Sequence, residues 1–216
     1  MGQDYQIAIE TSATRGSVAL GRGLDVLLEE EFELGRRPSE ILMEPLQKAL
    51  EILEGEEVEL ILIGRGPGSY NGARVGIAAG QGIAIVHQCP VVGLPSLEAL
   101  PMVRRAEPCL ALGDARRGAF FTVEIREGKL SGEPDLLDHA KFKYRAEAAA
   151  EAGLVLVSME DPARLRLPGL EISLGVPSAG LLLEAWSHRS EGEKEELKGI
   201  PPEPAYLRPP HITQPK

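Results

Sequence analysis

Two acidic residues occupy positions where paired carboxylates could carry out acid–base chemistry. Glu10 ends the alternating apolar segment Tyr5–Glu10, and Asp114 directly follows the apolar segment Cys109–Gly113. Carboxylates that face one cleft can pass protons to and from a substrate. Carboxylates also form turns and cap helices, so the sequence leaves both interpretations of this pair open.

A glycine-rich segment, GPGSYNGARVGIAAGQGIAIV (residues 66–86), is the second place where chemistry could occur. A loop of this kind before a helix can bind phosphate through its backbone amides. It is not a Walker A loop, because no lysine follows the glycines. Gly66, Gly68 and Gly72 also lack the spacing of a dinucleotide-binding fingerprint. The loop therefore permits phosphate binding without favouring it.

The other residues that could do chemistry form no recognisable constellation. The four histidines lie far apart in the chain and form no HxxxH pair, and no GxSxG nucleophile elbow occurs. Cys89 and Cys109 make no CxxC motif, so we expect reduced and buried thiols. The sequence predicts no metal site and no cofactor.

The charge balance disfavours direct nucleic-acid binding. The chain has 33 acidic and 23 basic side chains, a formal net charge of −10, whereas phosphate contacts need a basic surface. The apolar stretch Val75–Val86 is too short to cross a bilayer, and no secretory signal opens the sequence. We therefore expect a cytoplasmic protein with no membrane contact.

Strands and helices must position these residues. Alternating apolar residues predict strands at Tyr5–Glu10, Ser17–Leu20 and Val26–Phe32. The first helix is predicted to run from Ser39, a possible cap, to Leu53. Further strands are predicted at 58–63, 91–92, 109–113, 119–125 and 154–157, further helices at 70–88, from 96, at 140–152 and at 178–188, and an extended tail from 190 onwards.

The two acidic residues lie in similar hairpins. The segment IAIETSATRGSVAL near the start resembles LALGDARRGAFFTV near residue 110: each has a strand, an acidic residue, a polar turn, Arg-Gly and a returning strand. We interpret this as a weak internal duplication, with chance similarity as the alternative. The duplication predicts two lobes that divide at about residue 104.

Two helices carry more small or apolar surface than one packing contact requires. Gly72, Gly76, Gly80 and Ala84 recur every four residues, so another backbone can approach this face closely. In the helix at 39–53, apolar residues span an arc of roughly 200°. Either both helices are deeply buried in their own domain, or part of their surface contacts a partner protein.

Five segments together carry a resemblance to a known family. They are IAIETSATRGSVAL, GPGSYNGARVGIAAGQGIA, GLPSLEAL, GDARRG and PAYLR, which occur in this order. The combination resembles the TsaB (YeaZ) family of the actin-like, sugar-kinase-type ATPase superfamily. The resemblance implies an α/β fold of two related lobes, each with a mixed sheet flanked by helices. Residues 1–104 would form the N-terminal lobe with the partner-docking helices, and 105–216 the C-terminal lobe and extended tail.

The resemblance also implies a function. TsaB proteins are noncatalytic scaffold or activator subunits that bind the paralogue TsaD. With the ATPase TsaE, TsaD adds a threonylcarbamoyl group to the adenosine next to the anticodon in tRNAs that read codons starting with A. The chain would form a homodimer when alone, and would meet TsaE and tRNA only through the complex. The implied interface comprises Ile41, Leu42, Met43, Leu46, Leu50, Gly72, Ala73, Gly76, Ile77, Gly80 and Ala84.

The nucleotide cleft of the superfamily is degenerate in this sequence. Active members have Asp-x-Gly in each hairpin, and this chain has Glu10-Thr11-Ser12 and Asp114-Ala115-Arg116 instead. We therefore expect no ATP hydrolysis by the chain alone. The alternatives are an active small-molecule kinase or ATPase of the same superfamily, and a protease. The glycine loop departs from the family pattern GPGSFTGLR at Tyr70, Asn71 and Ala73.

Overall fold

The fold contains two mixed β-sheets with helices packed on their faces. The computed structural model describes residues 5–35 and 37–207; Arg36 and the last part of the predicted tail, residues 208–216, lie outside this range. The α/β fold of two lobes, each with a mixed sheet flanked by helices, is confirmed.

The first sheet has five strands in the order β3-β2-β1-β4-β5. They are β1 (Tyr5–Glu10), β2 (Arg15–Arg22), β3 (Asp25–Glu33), β4 (Val58–Gly64) and β5 (Val91–Leu94). The first three strands pair antiparallel through tight connections, and β4 and β5 extend the sheet in parallel from β1. The predicted opening of three antiparallel strands is therefore correct.

The second sheet has the order β11-β10-β6-β7-β8, with β9 also paired to β7. Its strands are β6 (Cys109–Asp114), β7 (Phe120–Arg126), β8 (Lys129–Leu130), β9 (Asp135–Leu137), β10 (Val155–Ser158) and β11 (Ser173–Leu174). The hairpin β6-β7 is antiparallel, and β10 and β11 continue in parallel from β6. The order and strand directions repeat those of the first sheet, as the internal duplication predicts.

Helices α1 (Pro38–Ile52) and α2 (Tyr70–His87) cover one face of the first sheet. Leu42, Leu46 and Ile77 pack there with alternate side chains of β1, β2 and β4, because successive strand residues point to opposite faces. Helix α1 begins with proline at its first position, and Ser39 does not cap it: the N-cap position is Arg37, which makes no side-chain capping bond.

The opposite face of the first sheet is covered by a helix from the C-terminal part of the chain. Helix α5 (Ala179–Ser187) packs Leu182, Leu183 and Trp186 against this face. The amide of Ala179 donates to the Ser17 hydroxyl of β2 at 2.8 Å. The helix predicted from residue 96 is a 3₁₀ turn, 96–99, followed by the short α3 (Pro101–Arg104), and both contact α5.

Helix α4 (His139–Glu151) packs Phe142 and Ala146 on the outer face of the second sheet. The charged run after Ser190 was predicted to be extended, and this is wrong, because it forms α6 (Glu191–Lys198). The hydroxyl of Ser190 and the carboxylate of Glu193 cap each other's backbone amides, a reciprocal capping box that starts a helix. Lysines paired three residues from glutamates stabilise its exposed surface.

Candidate functional site

A cleft of about 1010 Å³ opens between the two lobes. The hairpin after β1, the glycine loop with the first turn of α2, and the Asp114 hairpin line its walls, and residues 204–207 lie at its edge. The two hairpins that resemble each other in sequence therefore meet at one cavity. A cavity of this size is in the range of small-molecule sites.

Glu10 does not belong to an acidic pair in this cleft. Its side chain is fully buried beneath the hairpin, and Oε1 accepts a hydrogen bond from the Ser12 amide at 2.6 Å. Desolvation by burial raises its pKa, although hydrogen bonds from Ser12 and Ser96 act in the opposite direction. Glu10 is absent from the cleft lining, whereas Asp114 is part of it. Of the two interpretations of this pair, the geometry therefore does not favour the acid–base one, because burial removes one carboxylate from the cavity.

Asp114 forms a turn, as its alternative interpretation predicted. Its Oδ1 accepts from the Arg116 amide at 2.7 Å, and its own amide donates to the Glu160 carboxylate at 2.5 Å. Arg116 and Arg117 both have positive φ, +64° and +54°, in a region that glycine adopts more easily. The second hairpin therefore presents two arginine side chains at a turn whose backbone conformation glycine adopts more easily.

The glycine loop packs against the end of β1. The Thr11 hydroxyl donates to the Gly72 carbonyl at 2.8 Å, and the Ser69 amide donates to the Ser12 carbonyl at 2.5 Å. A Cβ at Gly68 would overlap the Ser12 carbonyl, and one at Gly72 would overlap that of Thr11. These two glycines therefore allow two backbone segments of the same lobe to approach each other.

The glycine stripe of α2 faces the first sheet and not the surface. A Cβ at Gly76 would lie 2.5 Å from the Thr11 hydroxyl, and one at Gly80 would lie 2.9 Å from Ile61 Cγ2. Ala73, Ile77 and Ala84 are buried as well. The expectation that this stripe contacts a partner is corrected, because its close approach is to the chain's own sheet. The periodicity in the sequence is the same for both kinds of contact.

The residues predicted on α1 divide between core and surface. Leu42 and Leu46 are buried, Ile41 is half-buried, and Met43 and Leu50 are exposed. On α2 the apolar side chains of Ile85 and Val86 are 78% and 76% exposed, and neither is among the predicted interface residues. We call the exposed apolar surface formed by Met43, Leu50, Ile85 and Val86 the α1–α2 face. A search for apolar residues opposite the glycine stripe would have found its α2 part.

Within residues 5–35 and 37–207, no group of three or more His, Cys, Asp or Glu side chains is placed to hold a metal ion. Among those residues, no helix is long and apolar enough to cross a membrane. His87 has a structural contact, because its Nδ1 accepts a hydrogen bond from the Val58 amide at 3.2 Å. Cys109 is buried and Cys89 partly so, and burial raises the pKa of both thiols, that of Cys109 to about 11.

Comparison with known families gives a match over more than half of the chain. Residues 33–148 match the family described as TsaD, tRNA N6-adenosine threonylcarbamoyltransferase. The tRNA threonylcarbamoyladenosine biosynthesis protein TsaB of Escherichia coli (strain K12) is 30% identical over 127 residues, which is 56% of this chain and 54% of that protein. The match thus spans about half the length of this relative. The TsaB of Haemophilus influenzae (strain Rd) is 26% identical over 170 residues, 70% of this chain and 71% of that protein.

Two solved structures share the fold. YeaZ from Pseudomonas aeruginosa is 23% identical with a TM-score of 0.71, and the match covers 94% of this chain and 100% of that one. A second structure, described as a protein with similarity to peptidase YEAZ from Pseudomonas aeruginosa, is 24% identical with a TM-score of 0.74 and covers 95% of this chain and 100% of that one. At this identity the likeness establishes the fold alone.

Proposed function

This chain belongs to the TsaB (YeaZ) family and also matches the family described as TsaD, and from this we propose that it acts in the biosynthesis of threonylcarbamoyladenosine in tRNA. Its role is that of a noncatalytic subunit in the cytoplasm. It binds a TsaD paralogue, and it meets TsaE and tRNA through that complex.

The α1–α2 face is the observation that carries this proposal. It is apolar, and Met43, Ile85 and Val86 are each more than half exposed. Exposed apolar patches on globular proteins are typical of protein–protein contacts. Both helices rest on the first sheet through buried residues, so the face is held by a rigid support. The proposed interface therefore keeps Met43 and Leu50 from the sequence prediction and adds Ile85 and Val86.

The geometry of the cleft supports a noncatalytic role. Glu10, which ends the strand of the first hairpin, is buried and accepts a bond from the Ser12 amide. At the second hairpin, Arg116 brings a long side chain to the turn and pairs with Asp114 at 3.4 Å. Neither hairpin offers a free carboxylate next to a glycine backbone, the arrangement expected of an active superfamily member.

Reconstitution of the modification reaction tests the proposal. The reaction contains the TsaD and TsaE of the same organism, tRNA, the threonylcarbamoyl adenylate and ATP, with or without this protein. We expect product only when the protein is present. Ile85→Glu should abolish that gain and prevent co-migration with TsaD in size-exclusion chromatography, because it places a charge in an apolar contact.

Leu174→Glu is the matched control. It introduces the same charge at an exposed apolar residue of the second sheet, and should leave both the complex and the product unchanged. Equal product without the protein would overturn the proposal, and so would full activity of Ile85→Glu. Turnover of ATP by the pure chain would favour the active kinase or ATPase instead.

A further inference from the structure

The last described segment, Pro201–Leu207, runs along the edge of the interlobe cleft, which its last four residues line. We call this segment the strap. The Ala205 amide donates to the Arg65 carbonyl at 2.8 Å. Pro202 lies so close to β5 that a Cβ on Gly93 would be 3.2 Å from its own Cβ. Two separate contacts, at Pro202 and at Ala205, therefore fix the strap to the first lobe.

The second half of the strap joins the glycine loop to the second lobe. The Tyr206 ring lies 5.4 Å from the ring of Tyr70, between centroids, at the first turn of α2. The Tyr70 hydroxyl accepts a hydrogen bond from Arg74 at 2.7 Å. One residue further on, Leu207 packs against the core of the second sheet. The strap thus touches both walls of the cleft within two consecutive residues.

The tyrosine pair is a departure from the family pattern. Tyr70 stands where the family loop commonly has phenylalanine, which has no hydroxyl for Arg74 or Tyr206 to contact. Hydrogen bonding lowers the pKa of Tyr70, with Tyr206 as the larger contributor and Arg74 as the second, and it raises the pKa of Tyr206. The two tyrosines therefore affect each other's ionisation in addition to their ring contact.

We propose that the strap is a clasp, in which the Tyr206–Tyr70 contact narrows the open cleft at this edge and its release gives solutes faster access to the cavity. Both tyrosines are partly exposed, at 44% and 46%, and the strap is irregular in structure. Segments with few buried contacts open at a much lower cost than the core. The lobes keep their own sheets and cores when the clasp opens.

Thiol labelling of a cysteine inside the cleft tests this proposal on the isolated full chain. Ala13 lines the cavity and is 8% exposed, so Ala13→Cys reports solute access with a small change in volume. The native thiols give a low background, because burial raises the pKa of both and thiolates are the reactive form. The probe is a maleimide, applied near neutral pH to the Ala13→Cys parent with and without a second substitution.

Tyr206→Ala should increase the labelling rate about tenfold, since it removes the aromatic pair with Tyr70. Tyr70→Phe keeps the ring and should increase the rate about threefold. Tyr144→Ala, at an exposed tyrosine of α4, should leave it unchanged. A cysteine outside the cleft, Gln47→Cys on α1, should label at one rate in all backgrounds.

An unchanged labelling rate in both Tyr206→Ala and Tyr70→Phe would overturn the clasp. Far-ultraviolet circular dichroism and the thermal midpoint of each variant separate opening of the cleft from unfolding. Should Tyr206→Ala fail to fold, Tyr70→Phe decides, because it restores the residue common in the family. The result does not depend on TsaD, so the clasp and the proposed function stand or fall separately.

Discussion

Three glycines of one helix have different physical roles, and this difference is measurable at the residue scale. A Cβ at Gly82 would meet nothing within 4 Å, whereas one at Gly72 would overlap a backbone carbonyl. Gly82→Ala should raise the free energy of unfolding by about 0.8–1 kcal/mol, because alanine restricts the unfolded chain and favours the helix. Gly72→Ala should lower it by about 1–3 kcal/mol through overpacking. Gly80 should behave like Gly72, with a smaller loss, since its neighbours are side chains.

Urea denaturation of the three alanine variants measures these differences. The same small side chain is added in the same helix each time, so helix propensity cancels from the comparison. Equal stability of Gly82→Ala and Gly72→Ala would contradict the packing of the glycine loop against the Thr11 backbone.

The buried carboxyl of Glu10 makes stability depend on pH. Its pKa in the folded protein is raised above the ordinary 4.5, mainly by desolvation, so the folded state keeps the proton to a higher pH than the unfolded state. Its contribution to stability is complete below about pH 4.5 and is lost as pH rises through the folded pKa. Glu10→Gln keeps an oxygen for the Ser12 amide and cannot ionise. It should therefore raise the thermal midpoint at pH 8 by several degrees, and much less at pH 4.5.

Glu57→Gln is the control for this pH series, because it makes the same change at an exposed residue before β4. Its thermal midpoint should follow that of the original chain at every pH. If Glu10→Gln showed a constant difference across the series, the carboxyl would not change its charge in this range.

At the scale of elements, local sequence patterns predicted where most strands and helices lie. They did not predict which surface each helix packs against. Strand β1 and helix α2 are found within one residue of their predicted bounds. The glycine stripe of α2 has one periodicity whether it faces Ile61 or another protein, so the sequence cannot assign its direction. The return of α5 to the first sheet depends on Trp186 and Leu182 meeting strands more than a hundred residues earlier. Helix α6 was missed although its Ser190-x-x-Glu193 signal is local.

Three elements meet at a buried ion pair. The guanidinium of Arg189, after α5, donates to Glu98 in the 3₁₀ turn, and their side chains are 7% and 6% exposed. Glu98 also accepts from the Leu130 amide of β8 at 3.2 Å. Arg189→Met should lower the free energy of unfolding by about 3–5 kcal/mol, because it leaves a buried carboxylate without its partner. Chemical denaturation measures the loss.

A double variant separates the effect of the unpaired charge on stability from the effect of the lost side-chain packing. Arg189→Met combined with Glu98→Gln removes the uncompensated charge and retains an acceptor for Leu130, so it should recover part of the lost stability. Arg37→Met, at an ion pair with Glu40 that is 76% and 66% exposed, should cost less than about 1 kcal/mol. A single Arg189→Met variant as stable as this control would contradict the structural role of the pair.

At the scale of the whole molecule, helix α2 contributes to both the cleft and the α1–α2 face, one at each end of the helix. The N-terminal turn of α2 lines the cleft and contacts the strap through Tyr70, while the C-terminal half carries Ile85 and Val86 on the α1–α2 face. Helix α2 is continuous from Tyr70 to His87 and rests on β4 through its glycines. A rigid helix of this kind connects the cleft to the proposed docking surface.

Self-association of the isolated chain should use the same α1–α2 face. An apolar surface with no partner bound is stabilised by pairing with a second copy, and a two-fold dimer places identical patches together. Sedimentation equilibrium should give a dimer for the original chain and a monomer for Val86→Glu, because the substitution brings two carboxylates into one contact. The thermal midpoint of the monomeric variant should fall only by the loss of association, since Val86 is 76% exposed in the single chain. Leu174→Glu should remain dimeric. A Val86→Glu chain that still dimerises with unchanged affinity would place the contact elsewhere, and the TsaD interface would then have to be sought apart from the self-association surface.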